Sequence, residues 1–430
     1  MYRGREGLGV WEHKGKVAAV GIGHSPTDRR WDLRPETSVG AYAIIALRNA
    51  MEDAGITPDQ VDGLVLDPST TTGAMWPADR PIPEDFAQAF KPGANKVDGI
   101  SSLSTEWLVA NMPELSNISF TMYGTTCMSN AICVAAQAIG DGMTKTCLVL
   151  KAWDNLEGRY AQGGDNALDT IGGSGQWNNP WGATGPYYPA HWFTSYTNKY
   201  GGNHDMMAPF VVNSKRNGLL FPEGFWAQHR PEPLTVEDYL SARWIVKPVN
   251  LYDCDIPITV AVAYVFTTAE RAKDMKQKPV YILNHSEARP KPRSVELTLE
   301  ECEDSAASLG RRLYEGAGIT ANDLSFENMY DGYTLFHHLM MEGLNYRGVK
   351  QGEGLDFYQT DISIEGPNPV SPSGGNAGSG RTRIWMHTDC IQQIQGRAGA
   401  RQIRIPAETG VSGGPHPRGG DFVVWGSTSD

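Results

Sequence analysis

Cysteine is scarce in this chain of 430 residues, and its spacing excludes two kinds of site. The six cysteines never form a C-x-x-C pair, which argues against a zinc ribbon and against a dithiol redox motif. Several of them stand among aliphatic residues, so we expect reduced, buried thiols in an intracellular protein. Cys133 and Cys147 in particular are expected in the core.

Long apolar runs are also missing. No stretch approaches the roughly 20 apolar residues that a membrane-spanning helix needs. The N-terminus lacks the apolar core of a signal peptide. We therefore expect a cytoplasmic protein without a membrane span.

Positive charge is in deficit, because 37 Lys and Arg residues stand against 49 Asp and Glu residues, for a net charge of −12. Nucleic-acid-binding proteins normally present a basic surface, so we expect no nucleic-acid partner. The chain has no G-x-S-x-G motif, no P-loop and no histidine spacing typical of a metal site. We therefore predict neither a serine hydrolase nor a bound metal.

What the chain does contain is an internal echo. The letters Ala-Gly-Ile-Thr occur at 54–57 and again at 317–320, each time after a helical pattern and before a short apolar segment. Gly55 and Gly318 suit the left-handed position that ends a helix. The recurrence predicts a duplicated α/β unit.

Each half opens on an apolar segment, at 16–22 and 279–284, and such strands separated by helices indicate sheets covered on both faces. Residues 154–250 differ, being rich in Trp, Tyr, Gly and Pro. They form either a packed surface excursion or a substrate-covering domain whose aromatic rings bind a bulky apolar group. We predict an N-terminal half at 1–153 and 251–275, an inserted loop domain at 154–250, and a C-terminal half at 276–430.

Three stretches carry residues suited to chemistry. Cys127 lies between a predicted strand and a helix, where the helix dipole favours a thiolate, although a small side chain filling a tight corner is the structural alternative. Tyr330 follows a predicted strand and suits a general acid or base, while Asp331 is either part of the same site or a cap for the helix near Thr334. Residues 373–381 form a Gly-rich loop whose N–H groups suit an oxyanion, or a simple turn.

In this order and spacing, four stretches resemble the thiolase superfamily. They are the nucleophile-cysteine corner at 124–131, the Tyr-Asp block at 329–333, the Gly-Gly segment at 373–396 and the last active-site loop at 410–414. The chain is most similar to the sterol-carrier-protein-x and lipid-transfer-protein type, which includes steroid side-chain aldolases. This resemblance implies an α/β protein with the five-layer αβαβα thiolase fold, made of two duplicated halves with an inserted loop domain.

The resemblance also implies the site residues. The catalytic candidates are Cys127, Tyr330, Asp331 and Arg381, and the candidates for binding the oxyanion and CoA are Gly374, Gly375, Asn376, Gly380, Ser412 and Gly413. The chain departs from thiolases in having Tyr330 where a histidine often stands, Gly380-Arg381-Thr382 in place of Gly-His-Pro, and Ser412 where degradative thiolases have a second cysteine. Similar departures occur in the lipid-transfer-type aldolases, which cleave β-hydroxyacyl-CoA without a covalent acyl-enzyme.

We therefore predict a thiolase-like enzyme that makes or breaks a carbon–carbon bond beside a thioester. The first prediction is retro-aldol cleavage of a bulky, steroid-like β-hydroxyacyl-CoA. Two alternatives stay open: a thiolase or acyltransferase with Cys127 as nucleophile, and a non-catalytic carrier of acyl-CoA or lipid. A coenzyme A thioester is expected as substrate, with no covalently bound cofactor. The family further implies a homodimer and a small zinc-ribbon/OB-fold partner protein.

Overall fold

The computed structural model describes residues 5–67, 76–77, 79–93, 96–124, 128–156, 185–288, 298–414 and 420–430. Within them the chain alternates between strands and helices, as the sequence predicts for an α/β protein. The strands are β1 Val17–His24, β2 Gly63–Asp67, β3 Phe120–Tyr123, β4 Thr146–Trp153, β5 Trp244–Val246, β6 Val249–Asn250, β7 Val260–Thr268, β8 Val280–Ala288, β9 Phe326–Met329, β10 Thr409–Gly413 and β11 Gly420–Gly426.

The helices include two long ones that each follow the first strand of a predicted half, and several short ones between β4 and β7. They are α1 Val39–Ala54, α2 Glu84–Ala89, α3 Thr105–Asn111, α4 Met128–Gly140, α5 Tyr187–Tyr200, α6 Ala208–Leu219, α7 Phe225–His229, α8 Val236–Leu240, α9 Ala269–Ala272, α10 Leu299–Ala317, α11 His337–Gly343, α12 Gly354–Phe357, α13 Gly375–Ser379 and α14 Trp385–Gln395. No helix in the described ranges is long and apolar enough to cross a membrane.

Nine of the described strands join in the order β3-β2-β4-β7-β1-β8-β11-β10-β9. The two ends of this order mirror each other. On one side β2 pairs with β4 in parallel and β7 with β4 antiparallel; on the other β9 pairs with β10 in parallel and β11 with β10 antiparallel. Within the described sheet, the strands of the two groups pair with each other where Ala18 and Ala19 of β1 lie beside Tyr281 and Val280 of β8. The sheet therefore consists of two similar groups of strands with a narrow junction.

Helices cover both faces of each group. α1 packs on β1, β4 and β7, and α10 packs on β8 and β11. Between the groups lie α4, which contacts β2, β4 and β11, and α14, which contacts β8, β9 and β10. All eight residues of β4 are buried, and alternate ones join two different hydrophobic clusters, because the strand is covered on both sides. This is the predicted five-layer αβαβα arrangement.

The internal echo has the same local structure in both places. Gly55 ends α1 with φ 70° and ψ 33°, and Gly318 ends α10 with φ 64° and ψ 36°. After each glycine a threonine starts a capping box: Thr57 N donates to Gln60 Oε1 over 2.9 Å, and Thr320 N donates to Asp323 Oδ2 over 2.7 Å. A short 3-10 turn then leads into β2 or β9. The predicted duplication is confirmed.

Some predicted elements differ in detail. The helix predicted from Thr334 begins as a 3-10 turn and becomes α-helical at His337. The glycine-rich turn at 373–380 contains the short helix α13. The last active-site loop, predicted at 410–414, is instead mostly strand β10, because its backbone pairs with both β9 and β11. The division of the chain into two halves and an inserted domain stays a prediction.

Candidate active site

A pocket of about 440 Å³, with a largely apolar lining, lies beside the sheet edge. Apolar side chains from α6, α7 and the segment around β5 and β6 form much of its wall, and four cationic side chains line it as well. An apolar pocket with a few convergent polar groups is the usual form of a small-molecule site. Its polar lining residues are Arg29, Lys215, Arg230, Arg243, Asp255, Tyr252 and Tyr333.

The topology explains why polar residues from both groups of strands meet here. Tyr330 directly follows β9 and so leaves the sheet at the carboxyl end of that strand. β7 runs antiparallel to β4, so the segment before β7, which contains Asp255, lies at the edge where β4 ends in Trp153. An isolated bridge from Pro257 to Arg381 then joins this edge to the glycine-rich loop.

Asp255 is a buried carboxyl group in the pocket wall, with only 5% of its surface exposed. Its N–H donates to the carbonyl oxygen of Gly332 over 3.1 Å, and its Oδ2 accepts from Asn376 Nδ2 over 3.3 Å. Burial raises the pKa of Asp255 to about 6, although the positive charges of Arg381 and Arg383 oppose that rise. The group is thus ionised near neutral pH but poorly solvated, which suits a proton acceptor.

Two arginines stand next to this carboxyl group. Arg381 Nη1 lies 3.8 Å from Asp255 Oδ1. The guanidinium carbons of Arg381 and Arg383 lie 5.6 Å and 5.7 Å from the centroid of the Trp153 ring, within the range of a cation–π contact. Arg383 has φ 59°, a left-handed conformation that costs energy for a residue with a side chain. A buried and a half-buried cation held in this way suit the stabilisation of negative charge that develops on a thioester oxygen.

Tyr330 is buried beside the same groups, with 6% of its surface exposed. Burial raises the pKa of the Tyr330 phenol, and the charge of Asp255 raises it further, against the effects of Arg383, which hydrogen-bonds to the phenol, and of Arg381. A β-carbon on Gly332 would lie 1.9 Å from Tyr330 Oη and 2.8 Å from Asp255 Oδ2. The phenol and the carboxyl group therefore approach each other across Gly332, where a larger residue would displace them.

Asp331, the second residue of the predicted Tyr-Asp block, holds the glycine-rich loop. It is fully buried, and its Oδ1 accepts hydrogen bonds from the N–H groups of Asn376 over 2.6 Å and Ala377 over 3.4 Å. The sequence-based alternative that it caps the helix near Thr334 is wrong, because it receives these bonds from α13 instead. Burial raises the pKa of Asp331 to about 7. A direct catalytic role for Asp331 stays a prediction.

The loop residues predicted to bind an oxyanion have their N–H groups engaged inside the protein. Asn376 also uses its side chain to hold the loop, since its Oδ1 accepts from Thr382 N and Arg383 N. An oxyanion role for these N–H groups stays a prediction that requires the loop to exchange hydrogen bonds. The acceptors are Ser371 O for Gly374 N at 2.9 Å, Ser373 Oγ for Gly375 N at 3.0 Å, Asp331 Oδ1 for Asn376 N at 2.6 Å, and Asn376 O for Gly380 N at 2.9 Å.

Ser412 and Gly413 are successive residues of β10 and make different contacts. The Gly413 carbonyl accepts from Tyr330 N over 3.2 Å, so this residue touches the backbone of the site. The Ser412 hydroxyl instead lies 2.7 Å from His387 Nδ1 and accepts from Trp425 Nε1 over 2.7 Å. Burial lowers the pKa of His387 to about 3, so this cluster is neutral. Binding roles for both residues stay predictions.

Cys127 lies outside the described residues, although helix α4 begins at Met128 as predicted. Cys133 and Cys147 are buried and form no disulfide with a described cysteine, as the sequence predicts. No group of three or more His, Cys, Asp or Glu side chains suited to a metal ion occurs in the part of the chain that the structure describes.

Lys215 of α6 lines the pocket as well, and no sequence motif points to it. Only 9% of its surface is exposed, and its Nζ lies 3.3 Å from the centroid of the Trp226 ring in the pocket wall. Burial lowers the pKa of Lys215 to about 7; Glu232 acts against this shift and Arg230 adds to it. A lysine in a helical pattern predicts a solvated surface residue, so its position depends on the packing of α6.

Asp255 and Arg383 are the other residues that the sequence-based prediction missed. Asp255 had a usable signal, because it stands just before the long apolar strand β7, and an antiparallel strand begins where its neighbour ends. No sequence signal pointed to Arg383, because its position beside Tyr330 depends on a left-handed backbone at residue 383 that the sequence does not predict.

Comparison with known proteins agrees with the fold described above. Residues 293–415 match the family model described as thiolase C-terminal domain-like. The predicted likeness to the thiolase superfamily is confirmed. The solved structure of the Ltp2-ChsH2(DUF35) aldolase superposes with a TM-score of 0.76 at 21% identity, covering 96% of this chain and 98% of that chain, which confirms the predicted thiolase fold.

Two curated relatives extend over most of the chain. One is the 17-hydroxy-3-oxo-4-pregnene-20-carboxyl-CoA lyase of Mycobacterium tuberculosis, 25% identical over 92% of this chain and 97% of its own length. The other is the steroid side-chain-cleaving aldolase of Thermomonospora curvata, 24% identical over 85% of this chain and 86% of its own length. Both are enzymes, in agreement with the prediction that this thiolase-like chain is one.

Proposed function

We propose that this thiolase-like protein cleaves the Cα–Cβ bond of a β-hydroxyacyl-CoA with a bulky, steroid-like acyl group by a retro-aldol reaction. The observation that carries the proposal is the position of the Tyr330 phenol, which is buried beside Arg381, Arg383 and Asp255. Two relatives, named as a 17-hydroxy-3-oxo-4-pregnene-20-carboxyl-CoA lyase and a steroid side-chain-cleaving aldolase, support the same reaction.

The chemistry needs three things that this arrangement offers. A group must take the proton from the β-hydroxyl, so that its electrons form a carbonyl while the Cα–Cβ bond breaks. The electron pair of that bond then forms a thioester enolate, whose negatively charged oxygen needs cationic partners. The guanidinium groups of Arg381 and Arg383 can provide them. The enolate finally needs a proton at Cα. None of these steps requires a covalent bond to the protein.

The pocket suits the substrate class. Its apolar wall fits a rigid hydrocarbon group, whereas the cationic residues that line it fit the phosphates or other anionic groups of an acyl-CoA. The protein has a net charge of −12, so this local group of cations stands in contrast to the overall charge of the chain.

Partners belong to the proposal as well. The structural neighbour is named as a complex with a DUF35 protein, which supports a zinc-ribbon/OB-fold partner for this chain. β3 is the last strand at its end of the described sheet, and its Met122 and Tyr123 side chains are 49% and 40% exposed. An open edge with exposed apolar side chains supports a homodimer through β3.

Tyr330→Phe tests the proposed function. The substitution removes one oxygen from a buried ring, so we expect the fold and acyl-CoA binding to persist while kcat falls at least about 100-fold. The assay is release of a ketone and a shorter acyl-CoA from a bulky β-hydroxyacyl-CoA, by the protein co-purified with a DUF35-type partner.

Tyr200→Phe, at a tyrosine of α5 outside the pocket lining, is the matched control and should keep wild-type turnover. Undiminished turnover in Tyr330→Phe would remove the role assigned to this phenol.

A further inference from the structure

The active site contains the carboxyl group of Asp255, which lies outside the sequence motifs and has no role in the function proposed above. Asp255 comes from the segment before β7, whereas Tyr330, Arg381 and Asn376 come from the other group of strands. It is 5% exposed, yet it lines the pocket and so faces the space in which a substrate would lie. Arg381 Nη1, 3.8 Å from its Oδ1, and Asn376 Nδ2, 3.3 Å from its Oδ2, partly offset the cost of burying this carboxyl group.

We propose that the Asp255 carboxylate is the base that removes the proton from the β-hydroxyl of the substrate, and that the Tyr330 phenol is the acid that protonates the enolate. This assignment rests on the proposed retro-aldol function and divides its two proton transfers between two named groups.

The geometry favours this division. Tyr330 receives a hydrogen bond from Arg383, and its surroundings keep the phenol protonated, since burial raises its pKa. A protonated phenol can donate a proton but cannot begin the reaction by removing one. Asp255, which approaches it across Gly332, is the carboxyl group in the lining of the pocket that is available for that first step.

The proton balance closes without another reactant. The β-hydroxyl proton moves to an Asp255 oxygen, the O–H electrons form the ketone, and the Cα–Cβ pair forms the enolate. Tyr330 gives its proton to Cα, which leaves a phenolate. The proton on Asp255 then moves to that phenolate across Gly332, and both groups return to their starting states. The products are one ketone and one shorter acyl-CoA.

The charged surroundings of Asp255 bear on the pH dependence that follows. The groups that face or influence it are Tyr330, Asp331, Tyr333, Asn376, Arg381, Arg383 and its neighbour Cys254, and the same pocket holds Arg29, Lys215, Arg230 and Arg243. Burial is the largest influence on Asp255 and raises its pKa to about 6. A base must be ionised, so kcat/KM of the wild type should rise with pH through about 6 and level off above it.

The test is Asp255→Asn in the protein with its DUF35-type partner, with a bulky β-hydroxyacyl-CoA as substrate. Asn keeps the shape and can still accept the hydrogen bond from Asn376 with its oxygen. We expect kcat to fall at least about 100-fold with little change in KM, and the rise of kcat/KM near pH 6 to disappear. Asp255→Glu, which retains a carboxylate, should recover part of the rate together with a rising acid limb.

Asp274→Asn, at an exposed carboxylate that follows α9, is the control and should leave rate and pH profile unchanged. Asp255→Asn with nearly full kcat, or with an unaltered rise near pH 6, overturns the assignment while the retro-aldol function stands. A wild-type protein that binds acyl-CoA but releases no ketone would overturn the proposed function as well, so the two failures are distinguishable.

Discussion

At the scale of single residues, the site depends on groups that burial has moved away from their ordinary pKa. Asp255, with a pKa of about 6, and Lys215, with a pKa of about 7, line the same pocket and change charge near physiological pH for the same reason, the loss of water around them. The sequence predicted Tyr330 because it stands in a motif. It missed Lys215 because the burial of a helical lysine depends on packing, and it missed Asp255 although the position of that residue just before β7 was a usable signal.

Lys215→Met should weaken binding of a β-hydroxyacyl-CoA to the protein with its partner by about tenfold, because the substituted side chain keeps the contact with Trp226 but loses the charge that attracts an anion. The sign of the pH effect follows from the ammonium form: wild-type affinity should fall as pH rises through about 7, and the affinity of the variant should fall much less. Calorimetric titration at several pH values measures both.

Lys350→Met, at an exposed lysine away from the pocket, is the control for lost surface charge. Equal pH dependence in Lys215→Met and wild type would show that another group governs affinity in this range.

At the scale of elements, the chain contains the same helix–turn–strand unit twice. α1 and α10 each end in a left-handed glycine, turn through a capping box and continue into a buried strand. This unit could be predicted from sequence because its signals are local: a glycine, a threonine and an acidic or amide residue three positions later. The short helix α13 could not be predicted, because its Asn376 and Ala377 N–H groups donate to Asp331, which is far away in sequence.

Gly318→Ala should lower the free energy of unfolding by about 1 kcal/mol, since φ 64° is unfavourable for a residue with a β-carbon. Gly55→Ala should cost somewhat more, because its β-carbon would also lie 2.9 Å from Lys276 Cβ. Urea unfolding of both variants measures the difference. Gly318→Asn should be milder than Gly318→Ala, because asparagine tolerates this conformation better, and equal stability of Gly318→Ala and wild type would contradict the explanation.

At the scale of the whole molecule, the five layers explain why residues from distant parts of the chain meet beside one pocket. Two strand groups with covered faces direct their strand ends to a common edge, where Trp153 and Asp255 of one group meet Tyr330 and Arg381 of the other. The order of elements and the thiolase likeness could be predicted from sequence, because duplication and motif order survive in it. The pairing of groups across the edge could not, because it follows from how the layers pack.

The central claim is that the bond breaks through a free enolate, and a reaction in D₂O tests it directly. The protein with its DUF35-type partner is incubated with a bulky β-hydroxyacyl-CoA, and products and protein are analysed by mass spectrometry. The account predicts ketone and shorter acyl-CoA in equal amounts, one deuterium from solvent at Cα of that acyl-CoA, and an unmodified chain. An acyl group on Cys127 during turnover, or bound substrate that yields no ketone, would contradict it.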